Sequence, residues 1–147
     1  MTRNYLLDVN VLIALVEPGH EHYQKVQNWF DASGKASLGL CPLTEAGFLR
    51  VTTNPGFGPG PRSMQHATAV LEMLKGYPQG KFSYWAMEES WVDLTAGFAW
   101  RVLGHQQATD AYLLGLAIRK KGVLVTFDRG IKYLAGSEFS ENLLVLE

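Results

Sequence analysis

Two short apolar runs, each closed by an aspartate, most constrain what this chain can fold into. Tyr5-Leu6-Leu7 ends at Asp8, and Val123 to Phe127 ends at Asp128. Neither run alternates apolar with polar residues, as a strand with one wet face must. Strands of this kind are apolar on both sides, so helices have to cover both sides. Ser37 to Cys41, Lys81 to Trp85 and Leu143 to Leu146 read as further short strands.

Helical stretches fall between them. Val9 to Glu17 reads as a helix stopped by Pro18-Gly19, and His20 to Ala32 as a second, with Tyr23, Val26, Trp29 and Phe30 on one apolar face. Pro42 opens a helix to about Thr52, and Ser63 caps one that runs to Leu74. NPGFGPGP at Asn54–Pro61 must be a loop. Glu88 to Leu103 is expected to be helical, with Gly97 inside it. Thr109 is expected to cap a last long helix to Lys120, closed by Lys121-Gly122. The alternation predicts one α/β domain over residues 1–147 with a mainly parallel central sheet. Ligands of such sheets bind just beyond the carboxyl ends of the strands.

That rule gives the acids their weight. Asp8 and Asp128 each follow a strand directly. Glu45 lies in the first turn of the helix after the second strand, so it faces the same edge. Asp110 follows Thr109 at the start of a helix whose later residues are almost wholly apolar, where a helix N-terminus favours the ionised form. Each acid alone passes as a cap or as surface charge. Four at one edge repel one another and call for a cation, and Mg²⁺ or Mn²⁺ suits an all-oxygen set. A metal so held activates water for attack on a phosphodiester.

Composition bears on the substrate. The chain has 147 residues, 13 Lys plus Arg, 14 Asp plus Glu and a net charge of -1, so bulk charge alone does not draw it to nucleic acid. Binding RNA would take a local basic patch or the metal itself. Cys41 is the single cysteine, which excludes an internal disulfide and a cysteine zinc cluster. A reducing cytoplasm is the expected location. No signal peptide or membrane span is read from the sequence.

LLDVNVLIAL near the start, LTEAGFLR in the middle, and GHQQATDAYLLGLA and LVTFDRG toward the end resemble a PIN domain, and more narrowly the VapC-type toxins of bacterial toxin–antitoxin modules. The resemblance runs from Tyr5 to about Leu146. It implies an α/β/α sandwich and a Mg²⁺- or Mn²⁺-dependent endoribonuclease with Asp8, Glu45, Asp110 and Asp128 as its acidic site. Asn10 and Thr126 match the small polar residues of the first and last motifs, which would orient carboxylates by hydrogen bonds. The resemblance further implies a homodimer and a small antitoxin seated in the active-site groove.

Several weaker signals stand beside these. Arg50 would contact a phosphate or offset the acids, or be plain surface charge. Arg129 would touch the RNA backbone, or be solvated at a helix start. His105 would contact RNA or a leaving group, although a lone histidine is more often structural. Arg119, Lys120 and Lys121 suit a helix C-terminus without any ligand. GFGPGP lacks the context of a phosphate loop. Trp85, Trp91, Trp100 and Tyr84 offer rings for base stacking, and serve equally as core or interface. His20 and His22 lack metal-ligand spacing on a helix. The stretch from Asn54 to Trp91 carries little motif content, and substrate choice is expected to lie there.

Four functions compete. The leading reading is a toxin endoribonuclease. A PIN nuclease of RNA processing or decay, without an antitoxin, would share its acids. A phosphatase with a nucleophilic Asp8 would need an acid at position 10, where Asn10 stands. A non-catalytic binding module would have no use for the full acidic set.

Overall fold

Five strands lie side by side in the order β3-β2-β1-β4-β5, all parallel. They are β1 (Asn4–Leu7), β2 (Ser37–Leu40), β3 (Phe82–Tyr84), β4 (Val123–Thr126) and β5 (Leu143–Val145). Seven helices surround them: α1 (Val9–Val16), α2 (Tyr23–Ala32), α3 (Pro42–Thr52), α4 (Met64–Lys75), α5 (Trp91–Thr95), α6 (Ala108–Arg119) and α7 (Ile131–Ala135). The computed structural model describes residues 3–147. Among them no helix is long and apolar enough to cross a membrane.

Successive residues of the central strands feed opposite cores. Leu6 and Leu124 join Leu113, Leu116 and Phe98 on the side covered by α5, α6 and α7. Leu7 and Val125 join Val11, Leu12, Leu38 and Phe48 on the side covered by α1 to α4. Full burial on both faces explains the unbroken apolar runs, and makes the sheet the middle layer of an α/β/α sandwich.

Two glycines set how closely the helices approach the active edge. A Cβ on Gly47 in the middle of α3 would stand 2.5 Å from Val9 Cγ2, so the start of α1 packs directly on this part of α3. A Cβ on Gly115 of α6 would stand 2.6 Å from the Leu94 carbonyl oxygen of α5. Any side chain at either position forces neighbouring helices apart.

β4 ends at Thr126, one residue short of the expected Phe127, so Asp128 stands two residues beyond the strand rather than directly after it. Three other boundaries differ more. Glu88–Leu103 is not one helix: α5 ends at Thr95, and Ala99–Arg101 is a separate 3₁₀ turn. Leu94, Phe98 and Val102 keep helical spacing and all pack into one core, so their period persists while the backbone turns. Thr109 does not cap α6. The helix starts one residue earlier at Ala108, out of a 3₁₀ turn at His105–Gln107, and Gln107 Oε1 accepts from the Leu103 N–H instead. His20 precedes α2, which begins at Tyr23.

Candidate active site

Parallel pairing brings the ends of β1 and β4 together. Leu7 pairs with Val125, and the Asp8 N–H extends the ladder by donating to the Val125 carbonyl at 3.0 Å. Asp8 is then committed to that edge, with its side chain almost entirely buried. Its Oδ1 accepts from the Val9 N–H at 2.8 Å, at the start of α1. Its Oδ2 accepts from the Thr126 hydroxyl at 2.7 Å.

Thr126 is fully buried and works in two directions. Its single hydroxyl proton goes to Asp8, and its oxygen accepts from the Asp128 N–H at 3.1 Å. A hydroxyl has one donor and two acceptor positions, so it suits a carboxylate on one side and an amide on the other. Asp128 in turn folds its Oδ1 onto the Gly130 N–H at 2.8 Å, which fixes the turn leading to α7.

Asp110 enters from α6, in its first turn. Burial, and then the negative charges of Asp8 and Asp128, push its carboxyl up to about 7. Burial also raises Asp8, with the Asp128 charge adding to it and the bonds from Thr126 and Val9 opposing it. Three aspartates from three separate elements therefore feel one another's charge. Among the described residues no ion pair reaches any of them. Nor do three His, Cys, Asp or Glu side chains already stand close enough to hold one ion between them. The set is open: near enough for mutual repulsion, and not drawn together.

Glu45 sits differently. It lies in the first turn of α3, opened by Pro42 and fixed by Thr44, whose Oγ1 accepts from the Cys41 N–H at 3.0 Å. Glu45 Oε2 is 3.8 Å from Lys75 Nζ, at the end of α4. Lys75 also stands 3.6 Å from Glu72. Nothing in the local sequence pattern points to Lys75, because its meeting with Glu45 is made by the packing of α4 on α3.

The remaining expected residues stand apart. Asn10 is exposed in the first turn of α1 and hydrogen-bonds to no carboxylate among the described residues. Arg50 is exposed in the last turn of α3 and does not reach Glu45; five residues rotate it about 140° round the helix. The cation beside Glu45 is Lys75. Arg129 is 75% exposed and lies 3.6 Å from Glu147. His105 is exposed on the 3₁₀ turn before α6. Trp85 is core, lying over Gly39 and Gly122, and Trp91 Nε1 donates to the Ala108 carbonyl at 2.8 Å. Trp100 and Tyr84 are exposed.

Comparison with known proteins places this edge in a family context. The family model for the PIN domain matches residues 5–137. The ribonuclease VapC38 of Mycobacterium tuberculosis is 42% identical over 130 residues, covering 88% of this chain and 89% of that protein. The ribonuclease VapC39 of the same organism is 33% identical over 143 residues, covering 94% and 98%. Among solved structures, FitAcB from Neisseria gonorrhoeae aligns with a TM-score of 0.60 at 18% identity, over 97% of this chain and 96% of that one. VapBC2 from Rickettsia felis, bound to a DNA fragment from their promoter, aligns at 0.57 and 12% identity with the same coverage.

Proposed function

Since the chain belongs to the PIN-domain family, among the VapC-type toxins, we propose that it is a divalent-metal-dependent endoribonuclease whose acidic site is Asp8, Glu45, Asp110 and Asp128. Membership supports an RNA-cleaving hydrolase. The observation that carries the metal and the site is the aspartate set itself. Asp8, Asp110 and Asp128 come from two strand ends and a helix start; burial raises Asp8 and Asp110, the Asp128 charge adds to both, and no ion pair among the described residues brings a cation to them. Their donors are all carboxylate oxygens, the chemistry that Mg²⁺ or Mn²⁺ prefers.

Asp8, Asp110 and Asp128 would hold the metal, with Glu45 at the margin. When bound, the metal supplies the positive charge that polarises a water and a phosphodiester oxygen. The chain's own residues set the stage. Thr126 holds Asp8 Oδ2, as the Val9 N–H holds Oδ1, and ties Asp128 to the same hydroxyl. Asp110 sits at the positive end of α6, which favours its ionised form as soon as a cation is present. We keep Asn10 and Thr126 as the small polar residues that would orient the carboxylates, and Arg50, His105 and Arg129, all exposed, as candidate contacts to the RNA.

The partners follow from the same reading. We assign the chain an RNA substrate, a small antitoxin and a homodimeric state; the likeness in fold to VapBC2 supports the antitoxin. The decisive experiment is cleavage of single-stranded RNA by the purified chain in EDTA, followed by added Mg²⁺ or Mn²⁺. Cleavage stops in EDTA and returns with the metal. Cleavage that persists in chelator would sink the metal reading, and no cleavage under any condition would sink the ribonuclease.

A further inference from the structure

Tyr84 is the last residue of β3 and pairs in register with Leu40, the last residue of β2. It therefore stands on the same carboxyl edge as the acids, two strands out from Asp8. Phe82 and Tyr84 share one face of the strand: Phe82 is buried, packing against Phe30 and Tyr77, while Tyr84, at the strand's end, is 61% exposed. Its hydroxyl makes no hydrogen bond among the described residues. A strand-end aromatic left bare has no structural task that its packing explains.

Beside it lies Lys75, which among the described residues is the cation that faces an acid of the site. Leu40, Glu45, Lys75, Phe82, Ser83 and Tyr84 line a single small groove. Lys75 is 52% exposed, and its contact with Glu45 at 3.8 Å is too long and too wet to anchor it. Its ammonium is free to exchange one oxygen anion for another. A ring next to a loosely held cation is what an unpaired nucleotide recognises, with its base stacked and its phosphate neutralised. A single ring beside a single cation matches one base and one phosphate, whereas a protein partner needs a wider contact than these six residues give.

We propose that Tyr84 and Lys75 form a nucleotide subsite for single-stranded RNA flanking the cleavage site: Tyr84 stacks a base, and Lys75 leaves Glu45 for a phosphate of the strand. The subsite rests on the ribonuclease reading, and it locates substrate choice in the stretch before α5 that carries no family motif. Neither residue holds up the core, so their variants fold.

The test is fluorescence anisotropy of a labelled short single-stranded RNA, in EDTA and again with Ca²⁺, for wild type, Tyr84→Ala, Tyr84→Trp, Lys75→Gln and Trp100→Ala. Tyr84→Ala weakens binding by roughly 10-fold, and Tyr84→Trp holds it within about 2-fold. Lys75→Gln lowers the slope of log affinity against log salt by about 0.7, one phosphate contact on a single strand. Trp100→Ala, an exposed aromatic in the segment after α5, leaves binding unchanged. In Mg²⁺, Tyr84→Ala raises KM more than it lowers kcat. If wild type binds RNA and Tyr84→Ala binds equally well, the subsite is wrong and the ribonuclease stands. If wild type binds no RNA in either condition, both readings fall. Loss of antitoxin binding with RNA binding intact would give the groove to the protein partner and overturn the proposal.

Discussion

The acidic edge has two halves that are built in different ways. The half at β1, β4 and α6 is made by the sheet: Asp8 and Asp128 follow strands that pair directly, and one buried hydroxyl, Thr126, binds both. The half at α3 and α4 is made by helix ends: Glu45 meets Lys75 across a long, half-exposed contact. Burial raises pKa values in the first half, and a cation already offsets charge in the second. The difference separates what is preorganised from what is free to move. The first half is tied by hydrogen bonds at Asp8 and Asp128 and is short of positive charge, which is what the proposed metal would need. The second is adjustable, so it suits a substrate that varies.

The comparison breaks most sharply at Asp8. Asp8→Asn keeps the shape of the side chain and the bond accepted from the Val9 N–H, while turning the acceptor that faces Thr126 into a donor and removing a charge from the deepest position of the site. RNA cleavage should fall by more than the ~10–100-fold that a supporting residue costs. The far-UV circular dichroism and thermal midpoint should stay at wild-type values or better, because a buried charge is lost. Wild-type cleavage by this variant would remove Asp8 from the site.

Thr126→Val tests whether the hydroxyl binds the first half together. Valine fills the same space, but it leaves Asp8 Oδ2 without a donor and the Asp128 N–H without an acceptor. Stability should drop by about 1–3 kcal/mol, the usual cost of stranding buried polar groups. Metal affinity or cleavage should fall ~10–100-fold. A variant that loses stability alone would reduce Thr126 to a structural residue.

The two halves were also unequally legible in the sequence. Asp8 and Asp128 were readable because a strand apolar on both faces leaves its following residue at the functional edge. That needs only local pattern and one topological rule. The parallel sheet followed from the same runs. The family motif was needed to single out Glu45 and Asp110, since a helix-start acid looks the same whether it caps or ligates. Lys75 and Tyr84 could not be read at all as neighbours. Lys75 ends one helix and Tyr84 ends a strand nine residues later, and only the packing of α4 beside β3 joins them. Glu88–Leu103 misled for a related reason. Leu94, Phe98 and Val102 keep a helical period because all three face one core, yet the backbone between them turns to let Leu94 close on Gly115. Periodicity records which residues are buried, and it does not guarantee the hydrogen bonds of a helix.

The smallest effect expected is on stability against pH, and it is the one that isolates the missing charge of the first half. Asp110 has its folded value pushed up to about 7 from an ordinary 3.8. Between those values the folded chain holds a proton that the unfolded chain has released. The stability it contributes is therefore full below about pH 4 and is lost as pH rises toward 7. Other groups titrate in the same range; burial lowers His20, for example, which acts in the opposite direction. The clean quantity is thus the difference between wild type and Asp110→Asn, in EDTA. The wild-type thermal midpoint should fall from pH 5 to pH 8 by several degrees more than that of the variant, at roughly 2–4 °C per kcal/mol for a chain of this size. Saturating Mg²⁺ should remove most of that excess, because an ion that binds only the folded state offsets the repulsion where it is largest. Glu45→Gln, from the half that has Lys75 beside it, is scanned under the same conditions for comparison. If the two variants shifted the profile equally, the division of the edge into a charge-starved half and a compensated half would be wrong.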